Sequence, residues 1–98
     1  MAAVVHVGDE RSAAGFRLAG ARVLTPARGE EAAALRTARA AGELVLLDAT
    51  IAAALPEAML REACAALQPL VLVIADVDGA VPVPDIAARL RTQLGLSA

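Results

Sequence analysis

A chain of 98 residues, 58% hydrophobic but 1% aromatic, is bounded to one domain with a single core packed by alanine, valine and leucine. Its formal net charge of −2, with every one of the nine basic residues an arginine, argues against a nucleic-acid binder, which carries a basic face. So few aromatic rings also leave no stacking platform for bases or sugars.

The first apolar run, AVVHVG (3–8), is rich in β-branched residues and ends at Gly8, which predicts a strand. Asp9 is placed to cap the helix ERSAAGFRLA, because a short carboxylate accepts from the unpaired N–H groups of a first turn. Gly20 closes that helix at a position suited to positive φ. ARVLTP (21–26) predicts a second strand, stopped by Pro26. GEEAAALRTARAAGE predicts a second helix, with Glu30 and Glu31 at its start, Arg36 and Arg39 later and Gly42 at its end. That polarity complements the helix dipole.

ELVLLDA (43–49) is a continuous apolar strand of the kind covered on both faces. LPEAMLREACAALQ predicts a helix opening at Pro56, with Leu60, Cys64 and Leu67 inward and Arg61 and Glu62 toward water. LVLVIA (70–75) predicts the fourth strand. DVDGAVPVP then interrupts regular structure, and PDIAARLRTQLGL (about 84–96) predicts a last helix with Ile86, Leu90 and Leu94 on one side. The longest apolar run, LQPLVLVIA, is too short to span a bilayer. No basic region precedes an apolar stretch at the N-terminus, so a soluble, intracellular protein is expected.

Alternation of β and α elements predicts an α/β domain over residues 1–98: a four-stranded parallel sheet in the flavodoxin-like order 2-1-3-4, flanked by helices. Asp9, Asp48 and Asp76 would then share the carboxyl edge of the sheet, where carboxylates can hold Mg²⁺. This resembles the acidic site of response-regulator receiver domains, although the chain offers neither a fifth strand nor a lysine. The plainer expectation makes Asp9 and Asp76 turn or cap residues and leaves Asp48 at a strand end near water.

Other chemistry is thin. Gly8, Gly15 and Gly20 are spaced by seven and five, unlike the Gly-x-Gly-x-x-Gly that cradles a pyrophosphate. His6 has no second histidine or suitable cysteine to share a metal with, and is expected to be a packed or edge side chain. Cys64, the only cysteine, allows no internal disulfide and is expected to be a buried thiol. DVDGA lacks the acids of a calcium loop. No serine or threonine stands out with a base to activate it, so no catalytic residue, cofactor or metal is expected. Gly15 is unusual, because glycine inside a helix costs about 1 kcal/mol against alanine. Its missing side chain would let another backbone come close, with Phe16 packing beside it. Phe16 and Leu18 point to different sides of the helix, one toward the sheet and one toward a neighbour, although the plainer expectation puts both in one wide apolar face.

VGD followed by SAAGFRLAGARV resembles the N-terminal signature of the F subunits of V-type and archaeal-type rotary ATPases. The matching residues are Gly8, Asp9, Ser12, Gly15, Phe16, Leu18, Ala19 and Gly20. The later layout is similar too: an acidic second helix, a third strand written LVLLDATIAAAL, a fourth strand after a proline, and a closing helix ending LGL. His6 departs from the pattern, standing where a branched aliphatic is usual. The resemblance implies a small Rossmann-like protein without catalysis. Its partner would be the coiled-coil D subunit in a central stalk that turns inside the ring of A and B subunits. The stalk couples ATP synthesis or hydrolysis to proton or sodium transport in the membrane sector. Such a protein is cytoplasmic, peripheral to the membrane through its complex, and touches neither nucleic acid nor lipid directly. A helix-in-groove contact wants apolar anchors with flanking charge, which selects Arg89, Leu90, Arg91, Leu94 and Leu96 as candidate partner-binding residues. A degenerate receiver-like signalling domain is the alternative.

Overall fold

The computed structural model describes residues 3–75. Asp76, the DVDGA stretch and the expected last helix, with Arg89, Leu90, Arg91, Leu94 and Leu96, lie outside the described residues.

In chain order the elements are β1 (Val4–Val7), α1 (Glu10–Leu18), β2 (Arg22–Leu24), α2 (Glu31–Ala41), β3 (Leu44–Asp48), α3 (Ala49–Ala54), α4 (Glu57–Ala65) and β4 (Leu70–Ile74). The four strands form one parallel sheet in the order β2-β1-β3-β4, as the alternation of elements predicts. Each strand is one to three residues shorter than its apolar run. Register aligns Val5, Val45 and Val71 in one row and His6, Leu46 and Leu72 in the next. Because side chains alternate across a strand, those two rows face opposite sides of the sheet.

The first face holds the main core. Val5, Val7, Val45, Leu47 and Val71 meet Leu35 and Ala38 of α2, Ile51 and Ala52 of α3, and Leu60, Ala63 and Cys64 of α4. Alanines at these contacts let the helices lie close to the sheet, which is how a chain nearly without aromatic rings fills its interior. Arg39 on α2 reaches Glu62 on α4 at 4.0 Å, tying the two helices at the rim of this layer. Cys64 is buried, as expected, and burial pushes its thiol pKa above the usual value, against the opposing pull of Arg39. The second face is covered differently: α1 lies over it, with Phe16 stacked on His6.

Two expectations change. The run after β3 is not a longer strand: it turns at Asp48 into the separate short helix α3, which buries Ala49, Ile51 and Ala52. Leu67 does not join the inward stripe with Leu60 and Cys64. The helix α4 ends at Ala65, and Leu67 is 84% exposed.

Helix α1 ends as expected, with Gly20 at φ 95° just past its C-cap. Gly15, however, serves no contact within the described residues, since a Cβ built there meets nothing within 4 Å. The helix therefore carries the propensity cost of this glycine with no packing return from the described residues. Gly15→Ala is expected to raise the stability of the isolated protein by about 0.5–1 kcal/mol, measured by urea unfolding.

Candidate functional site

The carboxyl ends of β1 and β3 and the first turn of α1 converge where open α/β sheets take their ligands. Asp9 has extended backbone at the N-cap of α1, and its carboxylate accepts from the Ser12 N–H at 3.0 Å. That capping bond brings the Ser12 side chain over the end of β3. There the Ser12 hydroxyl donates to Asp48 Oδ2 at 2.6 Å. The hydroxyl also lies 3.3 Å from Asp9, but its single proton belongs to the shorter bond.

The other oxygen of Asp48 is taken by His6. Nε2 donates to Oδ1 at 2.8 Å, across a parallel strand pair, with His6 0% and Asp48 1% exposed. The acceptor fixes the proton on Nε2. Nδ1 is buried and has no partner among the described residues. The His6 ring stacks on Phe16 with centroids 4.1 Å apart and planes 18° from parallel. Asp48 is thus not the strand-end residue near water that the sequence implied. Its carboxylate is buried and engaged at both oxygens.

This cluster explains Gly8. A Cβ at that position would overlap the Asp48 carboxylate and come within 2.6 Å of His6 Cε1. Neither group can yield without breaking a buried hydrogen bond. The glycine therefore makes room for the chain's own carboxylate, where a nucleotide-binding fold would make room for phosphate. A serine, an aspartate and a histidine are present, but in the wrong order for a nucleophile. The carboxylate sits between the other two, so the hydroxyl gives its proton to Asp48 and no imidazole is hydrogen-bonded to it. No group of three or more metal-ligating side chains occurs among the described residues.

Of the signature residues, Gly8, Asp9, Ser12 and Phe16 come together in this cluster. Gly15, Leu18 and Ala19 do not: they lie on the exposed part of α1, and Leu18 is 91% exposed. Phe16 turns toward the sheet and Leu18 away from it, so the two do not share the wide apolar face that was the plainer expectation. The residue missed from sequence as a structural partner is Asp48. Its pairing with His6 spans 42 positions, and a buried histidine beside a strand-end acid one strand away was the available signal.

Fold and site define a doubly wound α/β domain whose usual anion position is filled from within. The family model for the ATP synthase (F/14-kDa) subunit matches residues 4–90, and the chain belongs to that family, the F subunits of V/A-type rotary ATP synthases. Members of this family are generally non-catalytic. Neither a curated protein nor a solved structure gives a significant match. No helix among the described residues is long and apolar enough to cross a membrane.

Removing the shared acceptor is expected to be costly. Asp48→Ala leaves a buried imidazole and a buried hydroxyl without a partner and should lower stability by about 3 kcal/mol or more. Asp48→Asn, which keeps one acceptor oxygen, should lose less; urea unfolding of the two variants checks the order. The Asp9 carboxyl is held below its ordinary value, first by the Ser12 N–H it accepts, with partial burial opposing and the Ser12 hydroxyl and Arg11 assisting. A depressed carboxylate stabilises the fold above its unfolded value, about 3.9, and that contribution is lost as pH falls through the folded value. Asp9→Ala should therefore cost about 1 kcal/mol at neutral pH. Its gap from the parent protein should close as unfolding is measured below pH about 4.

Proposed function

We propose that this protein is the central-stalk F subunit of a V/A-type ATP synthase or ATPase, a non-catalytic rotor component that binds the coiled-coil D subunit. Through that contact it helps couple ATP synthesis or hydrolysis in the A/B ring to proton or sodium transport by the membrane sector. It works in the cytoplasm, held at the membrane by the complex. The family match over residues 4–90 carries this reading.

The outer side of α1 supports it. Arg11, Gly15 and Leu18, at spacings of four and three, share that side, and all three are exposed. A leucine in water and a glycine with open space above it suit an apolar helix stripe of a partner approaching closely, beside Arg11, which lies 3.7 Å from Asp9. Residues Arg89, Leu90, Arg91, Leu94 and Leu96 are the second proposed contact, outside the described residues.

Co-purification with the D subunit of the same organism, sized by light scattering, tests the proposal. A stable one-to-one complex is expected. Leu18→Glu and the double variant Arg89→Glu/Arg91→Glu should each weaken it at least tenfold while leaving the isolated domain folded. Two folded proteins that do not associate would sink the assignment.

A further inference from the structure

The helices are attached to the sheet by two different means. On the Val5–Val7 face, α2, α3 and α4 set Leu35, Ile51 and Leu60 into one aliphatic core, to which α1 contributes no residue. Helix α1 buries only Ser12 and Ala13 and half-buries Phe16. Its polar attachment converges on Asp48. The Ser12 hydroxyl donates to one carboxylate oxygen at 2.6 Å and His6 Nε2 to the other at 2.8 Å, and the His6 ring carries Phe16. Among the described residues, α1 is therefore held chiefly by one hydrogen bond in its first turn and one ring stack a turn later. Both rest on the same carboxylate.

A helix of nine residues with a glycine inside it is too short to persist away from the sheet. Release of the Ser12 bond and the Phe16 stack therefore unwinds α1 as a unit, and no side chain of the opposite core has to move. We propose that α1 is a strap latched by Asp48, which opens and recloses between Gly8 and Gly20 while the α2–α3–α4 core stays packed. Opening uncovers the His6 imidazole, whose Nδ1 is buried without a partner among the described residues when the strap is closed. It also dissolves the outer side of α1, because Arg11, Gly15 and Leu18 share a side only in a helix. Asp48, itself 1% exposed, is thereby a positioning residue for the surface assigned above to a partner. That consequence rests on the stalk reading; the strap itself does not, and is tested on the chain alone.

The chain carries a reporter for each face. It has one histidine and one cysteine, His6 at 0% exposure beneath α1 and Cys64 at 2% in the opposite core. Diethyl pyrocarbonate reaches the imidazole, and iodoacetamide the thiol, only when the cover of each opens. Both rates are followed on the full chain by peptide mass mapping, and each is divided by its rate in the urea-unfolded chain. His6 is expected to be protected at least about tenfold less than Cys64. Below the unfolding transition its rate should barely respond to urea, while that of Cys64 climbs steeply. Ser12→Ala keeps the backbone N–H that Asp9 caps and should speed His6 modification by roughly ten- to a hundredfold. Leu35→Val, on the other face, should speed Cys64 alone. Equal protection with equal urea slopes, or Cys64 reacting first, overturns the proposal, and that comparison needs no variant. A His6 rate that Ser12→Ala leaves unchanged overturns it as well, because Asp48 then latches nothing.

Discussion

One buried carboxylate organises the opening of this fold. Asp48 is out of water, and an ion there is tolerated only when its oxygens are met by donors. His6 meets one and Ser12 the other. Each donor imposes a further condition. His6 needs a flat apolar neighbour, which Phe16 supplies by stacking. Ser12 must sit in the first turn of α1, where the Asp9 cap holds it. Gly8 must lack a side chain, or the carboxylate has nowhere to lie. The residues of this strand-to-helix turn are therefore the fittings of an internal hydrogen-bond network.

That network also closes the site. In an open α/β sheet the helix N-terminus at the carboxyl edge is the natural place for an anion. Here the chain provides the anion, with its negative charge already matched to the hydroxyl and imidazole donors. A phosphate brought to the same place would meet a buried carboxylate of like sign. The fold keeps its architecture with this position occupied by the chain's own carboxylate. The exposed residues of α1 are Glu10, Arg11, Ala14, Gly15, Arg17 and Leu18, and a role for them is argued from that surface and not from the fold.

Much of this was legible in the sequence because it is local. The Asp9 cap, the Gly20 stop and the short strands are each set by residues within one turn of where they act. The parallel order followed from strict alternation and the handedness of crossovers. The missed parts are those decided elsewhere in the chain. Nothing inside ATIAAA separates a helix from the end of a strand: there is no glycine, no side-chain cap and little polarity. Only packing of Ile51 and Ala52 against the core fixes α3. Leu67 fits a helical stripe by spacing, but α4 stops before it. Asp48 looked like a strand end at the water's edge because its partners lie on β1 and α1. The resemblance to the F subunits rested on a motif whose parts divide in space, four residues inward to the carboxylate cluster and four, Gly15, Leu18, Ala19 and Gly20, outward to solvent.

The same division bears on stability. The α2–α3–α4 face is held by a broad aliphatic core, whereas α1 buries only Ser12 and Ala13, with Phe16 partly covered. Its attachment rests on hydrogen bonds and one ring stack more than on buried area. Local opening begins where few apolar contacts hold an element, so α1 is the described helix set to loosen first. A partner that binds α1 only in its docked position draws the equilibrium toward that state by mass action. Gly15 adds to the effect: it weakens the helix on its own while leaving open the space a partner would occupy. Among the described residues the domain has one well-packed face and one lightly held face, an arrangement that assembly into a complex can complete.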